Sequence, residues 1–259
     1  MIKLLVTLFI FFSIIIVLVF YFQKNLIFFP DKTPFSTCYY NDRIEIVNEN
    51  GLRYYKWKSS ESKGTLIHFH GNGGRACDRL YLLEHFKNLS LDVLFVEYPG
   101  YAEDRKLPSQ KELLENAKQL YLSLPSDKPI FLYGESLGAA VATHLAMLYP
   151  IKGLILQSPF TSVRALAQKI YPFLPIKWII RYPLEQDQWA KTVNASVLIL
   201  HGVRDEIVPY EMGKELNTFF RNSRLSSYET KGHNDITLNN PKMFEDVKRF
   251  INQTISPSP

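Results

Sequence analysis

Serine, aspartate and histidine can together open an acyl bond, and three positions in this chain invite that reading. Ser136 lies in "LYGESLGAAVA", between Gly134 and Gly138. A serine on a sharp strand-to-helix turn needs small neighbours two residues away, and glycine has no Cβ to clash there. The helix that follows aims its free N–H groups at the place where negative charge would develop. A serine hydroxyl is a poor nucleophile without a base, and the base needs a group to orient it. Of the six histidines, His68 alternates inward on a strand, while His85 and His144 lie in helical segments. His70 and His201 each precede a glycine at a strand end. His233 in "ETKGHNDI" sits in a loop just after the last strand, where an imidazole could reach a sheet's carboxyl edge. The orienting acid is sought in "VLILHGVRDEIVP", where Asp205 and Glu206 compete.

An acyl-transfer site also needs backbone N–H groups aimed at the developing oxyanion. Leu137, directly after the serine, supplies one. The loop "HGNGG", after the strand-like run from Thr65, supplies the second, with the N–H of Asn72 as the candidate. A phosphate-binding loop is the rival reading of these glycines. Neither G-x-G-x-x-G nor G-x-x-x-x-G-K-[ST] is present, so the rival lacks its motif.

These residues need a scaffold that brings distant strand ends together. Strand-like runs occur at 44–47, 53–57, 65–70, 93–96, 130–133, 153–156, 197–200 and 225–229. Helical patterns fill 109–124, 137–148, 211–220 and 241–252. Ser109 and Glu112 form a capping box that opens the first of these helices. Continuous apolar runs such as Val93–Val96 indicate strands buried on both faces. The alternation predicts an α/β fold: a mostly parallel central sheet with helices on both faces and right-handed crossovers. One domain is expected over 44–254, interrupted by an apolar, aromatic segment at about 160–191.

The N-terminus is of another kind. From Leu4 to Phe22 every residue is apolar except Thr7 and Ser13. At about 1.5 Å per residue this run nearly spans a bilayer core of about 30 Å. It ends in "FYFQKN" rather than in small residues, so residues 1–22 are expected to be an uncleaved single-pass anchor. Flanking charge is nearly balanced, with Lys3 on one side and Lys24 and Lys32 on the other, and the catalytic domain is placed outside the cytosol. Residues 23–43 are a connector, and residues 255–259 a disordered tail. A net charge of +5 without a run of like charges or a nucleic-acid motif argues against nucleic acid as a partner. The two cysteines, Cys38 and Cys77, are too few for a disulfide framework and lack zinc spacing. They are expected to be unpaired thiols, with pairing open if the domain lies outside the cytosol.

The blocks "HFHGNGG", "VEYPGYA", "YGESLGAAVA", "QSPFTSV", "VLILHGVRDEIVP" and "KGHND" stand in the order and approximate spacing of the α/β-hydrolase superfamily. More narrowly, the chain resembles the membrane-anchored, short-lid hydrolases grouped with the α/β-hydrolase domain-containing proteins; "QKNLIFFP" after the anchor is typical of that group. The resemblance runs from about Leu26 to Asn252. It implies Ser136 as nucleophile, His233 as base and Asp205, rather than Glu206, as acid, with Asn72 and Leu137 donating to the oxyanion. It implies a serine hydrolase of acyl esters or thioesters that uses no metal and no organic cofactor. Two departures stand out. Ala102 replaces a glycine in "GYA", which predicts a different turn, and Ala139 replaces a second glycine after the nucleophile. The 160–191 segment would be the short lid, and within it Phe173, Trp178 and Ile179 could touch an acyl chain, or could simply pack over the sheet. Two other readings stay open: a binding or scaffold protein on the same fold, and a peptidase using the same triad.

Overall fold

The computed structural model describes residues 1–40 and 43–255. The first half runs α1 (Ile2–Ile27), β1 (Phe29–Pro30), β2 (Ile44–Glu49), β3 (Leu52–Trp57), β4 (Thr65–Phe69), β5 (Gly73–Gly74), α2 (Leu83–Phe86), β6 (Asp92–Glu97) and α3 (Gln110–Ser123). The second half runs β7 (Ile130–Glu135), α4 (Leu137–Leu148), β8 (Gly153–Gln157), α5 (Val163–Ile170), α6 (Ile176–Ile179), α7 (Gln186–Ala190), β9 (Ser196–Gly202), α8 (Tyr210–Phe219), β10 (Ser223–Tyr228) and α9 (Pro241–Ile255). Eight strands form one sheet in the order β10-β9-β8-β7-β4-β6-β3-β2. β3 pairs antiparallel with β2 and β6, and every other pair in this sheet is parallel.

Local chemistry explains the elements. Asn50 and Gly51, both at positive φ, close the β2–β3 hairpin, the combination a tight primed turn requires. Ser109 caps α3, its Oγ accepting from the Glu112 N–H at 3.2 Å. The central strands alternate their side chains between two cores. Ile67, Leu132, Leu154 and Ile199 face one side, packed with α3, α4 and α8. Leu66, Phe131, Ile155 and Leu198 face the other, packed with α9 and the segment that contains α2. α4 is buried over most of its surface, so its first turn is held rigidly beneath the end of β7.

Several expectations are revised. α1 continues through Ile27, so the first five connector residues are helical. Phe29 and Pro30 then pair with Gly73 and Gly74, which makes this stretch part of the structure around the Asn72 loop. Ile255 closes α9, and the remainder of the expected tail, 256–259, lies outside the described residues, as do connector positions 41 and 42. Ala102 keeps a positive φ of 46° despite its methyl group, so the glycine-like turn persists there. Cys38 and Cys77, expected as free thiols, form a disulfide with Cα atoms 5.7 Å apart. The fold brings the 38 region, which has no strand of its own, against the segment after β5. No sequence spacing encodes that approach.

Candidate active site

Ser136 stands at the junction of β7 and α4 with φ 50° and ψ −107°, a strained backbone for a residue with a side chain. Its N–H is held by the Gln157 carbonyl at 2.9 Å. The flanking glycines are required by contact. A Cβ on Gly134 would meet the backbone of Gly138 and Ala139, and one on Gly138 would meet the carbonyls of Phe69 and His70. Leu137, as the first residue of α4, has an N–H with no carbonyl one turn behind it.

His233 and Asp205 come together from two loops. His233 Nδ1 donates to Asp205 Oδ2 at 2.7 Å. Asp205 Oδ1 accepts from the N–H groups of Ile207 at 3.0 Å and Val208 at 2.7 Å. His201 Nε2 approaches Asp205 Oδ2 at 3.3 Å and donates to the Val208 carbonyl at 3.0 Å. Burial would raise the Asp205 carboxyl, but the hydrogen bonds from His201 and His233 outweigh it and hold the group well below the usual carboxylate range. Glu206 is exposed and makes no such contact with His233. His201 was legible only as a histidine before a strand-end glycine; its position four residues ahead of Asp205, across a tight loop, was the available signal.

A cavity of about 650 Å³ brings Ser136, His233 and Asn72 to one space. The Asn72 loop is fixed from several sides. Its carbonyl accepts from Phe29 N–H at 3.0 Å and from Tyr101 Oη at 2.8 Å, and its side-chain amide donates to the Ile27 carbonyl at 3.2 Å. Tyr98 Oη donates to the His70 carbonyl at 2.7 Å, just ahead of the loop. A second cavity, about 200 Å³ and mostly apolar, is lined by Asn72, Ser136 and Leu137 and opens toward α1 and α5. The two cavities meet at Ser136. Of the lid residues singled out in the sequence, Ile179 lines this apolar cavity. Phe173 and Trp178 do not line it; they are 87% and 82% exposed.

Beneath the serine lies a buried polar network that the motif did not reveal. Glu135 accepts from His68 Nε2 at 2.8 Å and from Arg79 Nε at 2.8 Å. Burial would raise the Glu135 carboxyl, yet His68 and Arg79 bring it down to about 2. Burial keeps His68 below its ordinary value, opposed by its Glu135 partner. Gln157 ties this region to the histidine loop: it accepts from Tyr133 Oη at 2.6 Å and donates to the Ile236 carbonyl at 3.0 Å.

Sheet order, strained serine, buried acid and loop histidine define one class: the chain is a serine hydrolase of the α/β-hydrolase superfamily, to which it belongs. The family model described as "Serine aminopeptidase, S33" matches residues 60–186, and that described as "TAP-like protein" matches 176–259. An uncharacterised protein of Mycobacterium tuberculosis is 31% identical over 247 residues, covering 90% of this chain and 88% of that one. Lysophosphatidylserine lipase ABHD12 of Gallus gallus is 30% identical over 186 residues, covering 63% of this chain and 49% of its own length. This chain therefore spans about half of that relative. Among solved structures, a putative lipase of Acinetobacter baumannii AYE superposes with a TM-score of 0.68 at 20% identity, covering 82% of this chain and 91% of that one. That likeness is one of fold.

Proposed function

We propose that this protein hydrolyses carboxylic esters or thioesters of acyl groups through a covalent acyl-enzyme. Ser136 Oγ attacks the carbonyl carbon while His233 Nε2 takes its proton, and Asp205 steadies the imidazolium through the Nδ1 contact. The N–H groups of Asn72 and Leu137 receive the oxyanion. The tetrahedral adduct collapses as His233 returns the proton to the leaving oxygen or sulfur. Water, deprotonated by His233, then attacks the acyl-enzyme, and the second adduct collapses to the acid as His233 returns the proton to Ser136 Oγ. No step calls for a metal or an organic cofactor.

The observation that carries this reading is the 2.7 Å bond from His233 to a buried Asp205, at the wall of the cavity that Ser136 lines. The lipase among the relatives supports an acyl ester as the substrate class. We further propose that residues 1–22 anchor the protein and that residues 44–254 form the catalytic domain, outside the cytosol. The unbroken helix to Ile27 and the Cys38–Cys77 disulfide support this arrangement, since disulfides persist in oxidising compartments.

The test is fluorophosphonate labelling with a panel of p-nitrophenyl acyl esters and acyl thioesters. Wild type should label and turn over, and Ser136→Ala should lose labelling and at least about 10⁴-fold in kcat. Near wild-type turnover in that variant would remove Ser136 from the mechanism. The description of one matching family as a serine aminopeptidase keeps a second reading in view. Hydrolysis of aminoacyl p-nitroanilides in preference to esters would favour it. A scaffold protein would show neither labelling nor turnover.

A further inference from the structure

The apolar cavity beside Ser136 has two walls, and each is one face of a helix. Val19, Gln23, Leu26 and Ile27 of α1 line one side, at spacings of four, seven and eight residues. Val163, Leu166, Ala167 and Ile170 of α5 line the other, at spacings of three, four and seven. Both spacings mark a single helical stripe. Apart from Gln23, these side chains are apolar. α5 has no fully buried residue along its length; Val163 and Leu166 pack partly against the core, and the stripe as a whole borders the cavity.

The end of α1 is fastened to the catalytic domain rather than hung from it. Gln23, only 3% exposed, donates through Nε2 to the Ile179 carbonyl at 2.7 Å and accepts through Oε1 from the Arg181 N–H at 2.8 Å. This spends both ends of one amide on the lid backbone. The Arg181 guanidinium lies 5.3 Å from the centre of the Phe20 ring. One turn on, the Ile27 carbonyl accepts from the Asn72 side chain, and the Phe29 N–H donates to the Asn72 carbonyl. The helix thus touches both the lid and the oxyanion loop.

Length decides where this wall lies. The apolar run from Leu4 to Phe22 extends about 27 Å along the helix axis, close to the thickness of a bilayer core. Val19 is within that run, while Leu26 and Ile27 lie beyond it. The cavity therefore begins at the hydrocarbon boundary and ends at Ser136. Exposed Tyr21, Phe173 and Trp178, with Lys24 and Lys177 nearby in sequence, have the composition of a membrane–water interface.

We infer that α1 is a wall of the acyl site, and that the protein takes a long-chain acyl ester sideways from the bilayer, its chain running between α1 and α5 to Ser136. This rests on the hydrolase reading above and adds the substrate class and the entry route. The anchor then sets chain-length preference, which a mere tether would not do.

The experiment uses the full chain in phospholipid nanodiscs and reads the ratio of kcat/KM for p-nitrophenyl dodecanoate to that for the acetate. Leu26→Trp narrows the cavity from the α1 side, and Ala167→Trp narrows it from the lid side. Phe11→Trp, in the middle of the span, is the control. Each narrowing variant should lower the ratio at least about tenfold, the effect of excluding two methylenes, while Phe11→Trp should leave it unchanged. Fluorophosphonate labelling identifies variants that fold with a reactive serine, and Ala167→Trp carries the test if Leu26→Trp does not fold. An unchanged ratio in a narrowing variant that still labels would overturn the inference and leave the hydrolase reading standing. Wild type that neither labels nor turns over any ester would overturn both.

Discussion

His233 Nδ1 lies 2.7 Å from Asp205 Oδ2, and the other Asp205 oxygen is occupied by two backbone N–H groups. The carboxylate is therefore locked, and its one short side-chain bond fixes the imidazole with Nε2 free for proton transfer. Asp205→Asn would keep the shape but allow an NH₂ group to face Nδ1, which favours the wrong tautomer. The expected loss in kcat at neutral pH is about 10⁴-fold, with fluorophosphonate labelling slowed in parallel. Steady-state kinetics on a short-chain ester check this. A loss under about tenfold would mean that Asp205 does not orient the base.

Gly138 is set by contact and not by its own φ. Its missing Cβ leaves room for the Phe69 and His70 carbonyls, which run toward the Asn72 loop. In Gly138→Ala the methyl must push α4 away from β4, separating the N–H groups of Leu137 and Asn72 proposed as oxyanion donors. Overpacking of this kind costs about 1–3 kcal/mol. Misplacing a donor by about 1 Å can cost about 10²-fold in rate. Thermal melts and kcat measured together should both fall.

Much of this arrangement is legible in the sequence alone. The period of apolar residues located all eight strands of the main sheet, and G-x-S-x-G located the strained turn, because each follows from local chemistry. The Asp205–His233 contact joins residues 28 apart; residue types and strand-end positions brought His233 and the Asp205/Glu206 pair forward, and only the family resemblance chose Asp205 over Glu206. Other contacts depend on tertiary approach alone. Gln23 meets Ile179 across 156 residues, and nothing in a polar residue near the end of an apolar helix indicates its partner. The same applies to Cys38 and Cys77, brought together from the ends of two short 3-10 helices. Phe173 and Trp178 belong to the apolar, aromatic lid segment, yet composition does not tell an outward-facing aromatic from a cavity wall.

Glu135 links the serine turn to stability. Its carboxyl is ionised at neutral pH, held by Arg79 and the His68 ring. A carboxyl brought down from 4.5 to about 2 contributes stability that is fully present above about pH 4.5 and is lost as pH falls toward 2. Glu135→Gln removes this contribution and leaves Arg79 without its charge partner, at a cost of about 2–3 kcal/mol at pH 7. Denaturation of wild type and variant across pH should show a gap that is constant above pH 4.5 and narrows below it. A gap that does not change down to pH 2 would mean that the Glu135 charge contributes nothing to folding.

The Cys38–Cys77 bond makes orientation measurable. It closes a loop over a sequence separation of 39, which constrains the unfolded chain, and its loss should cost about 2–4 kcal/mol. Reduction should therefore lower the melting temperature of wild type and leave Cys38→Ser/Cys77→Ser at its already lowered value. Compartment enters through chemistry. A cytosolic domain would be kept reduced by thiol buffers, whereas a domain across the membrane would retain the bond. Protein taken directly from its native membrane into an alkylating denaturant should add no label at either cysteine, and should add two labels only after reduction. Two labels without reduction would place the catalytic domain on the cytosolic face. The acyl esters within reach of Ser136 would then be those of the inner leaflet.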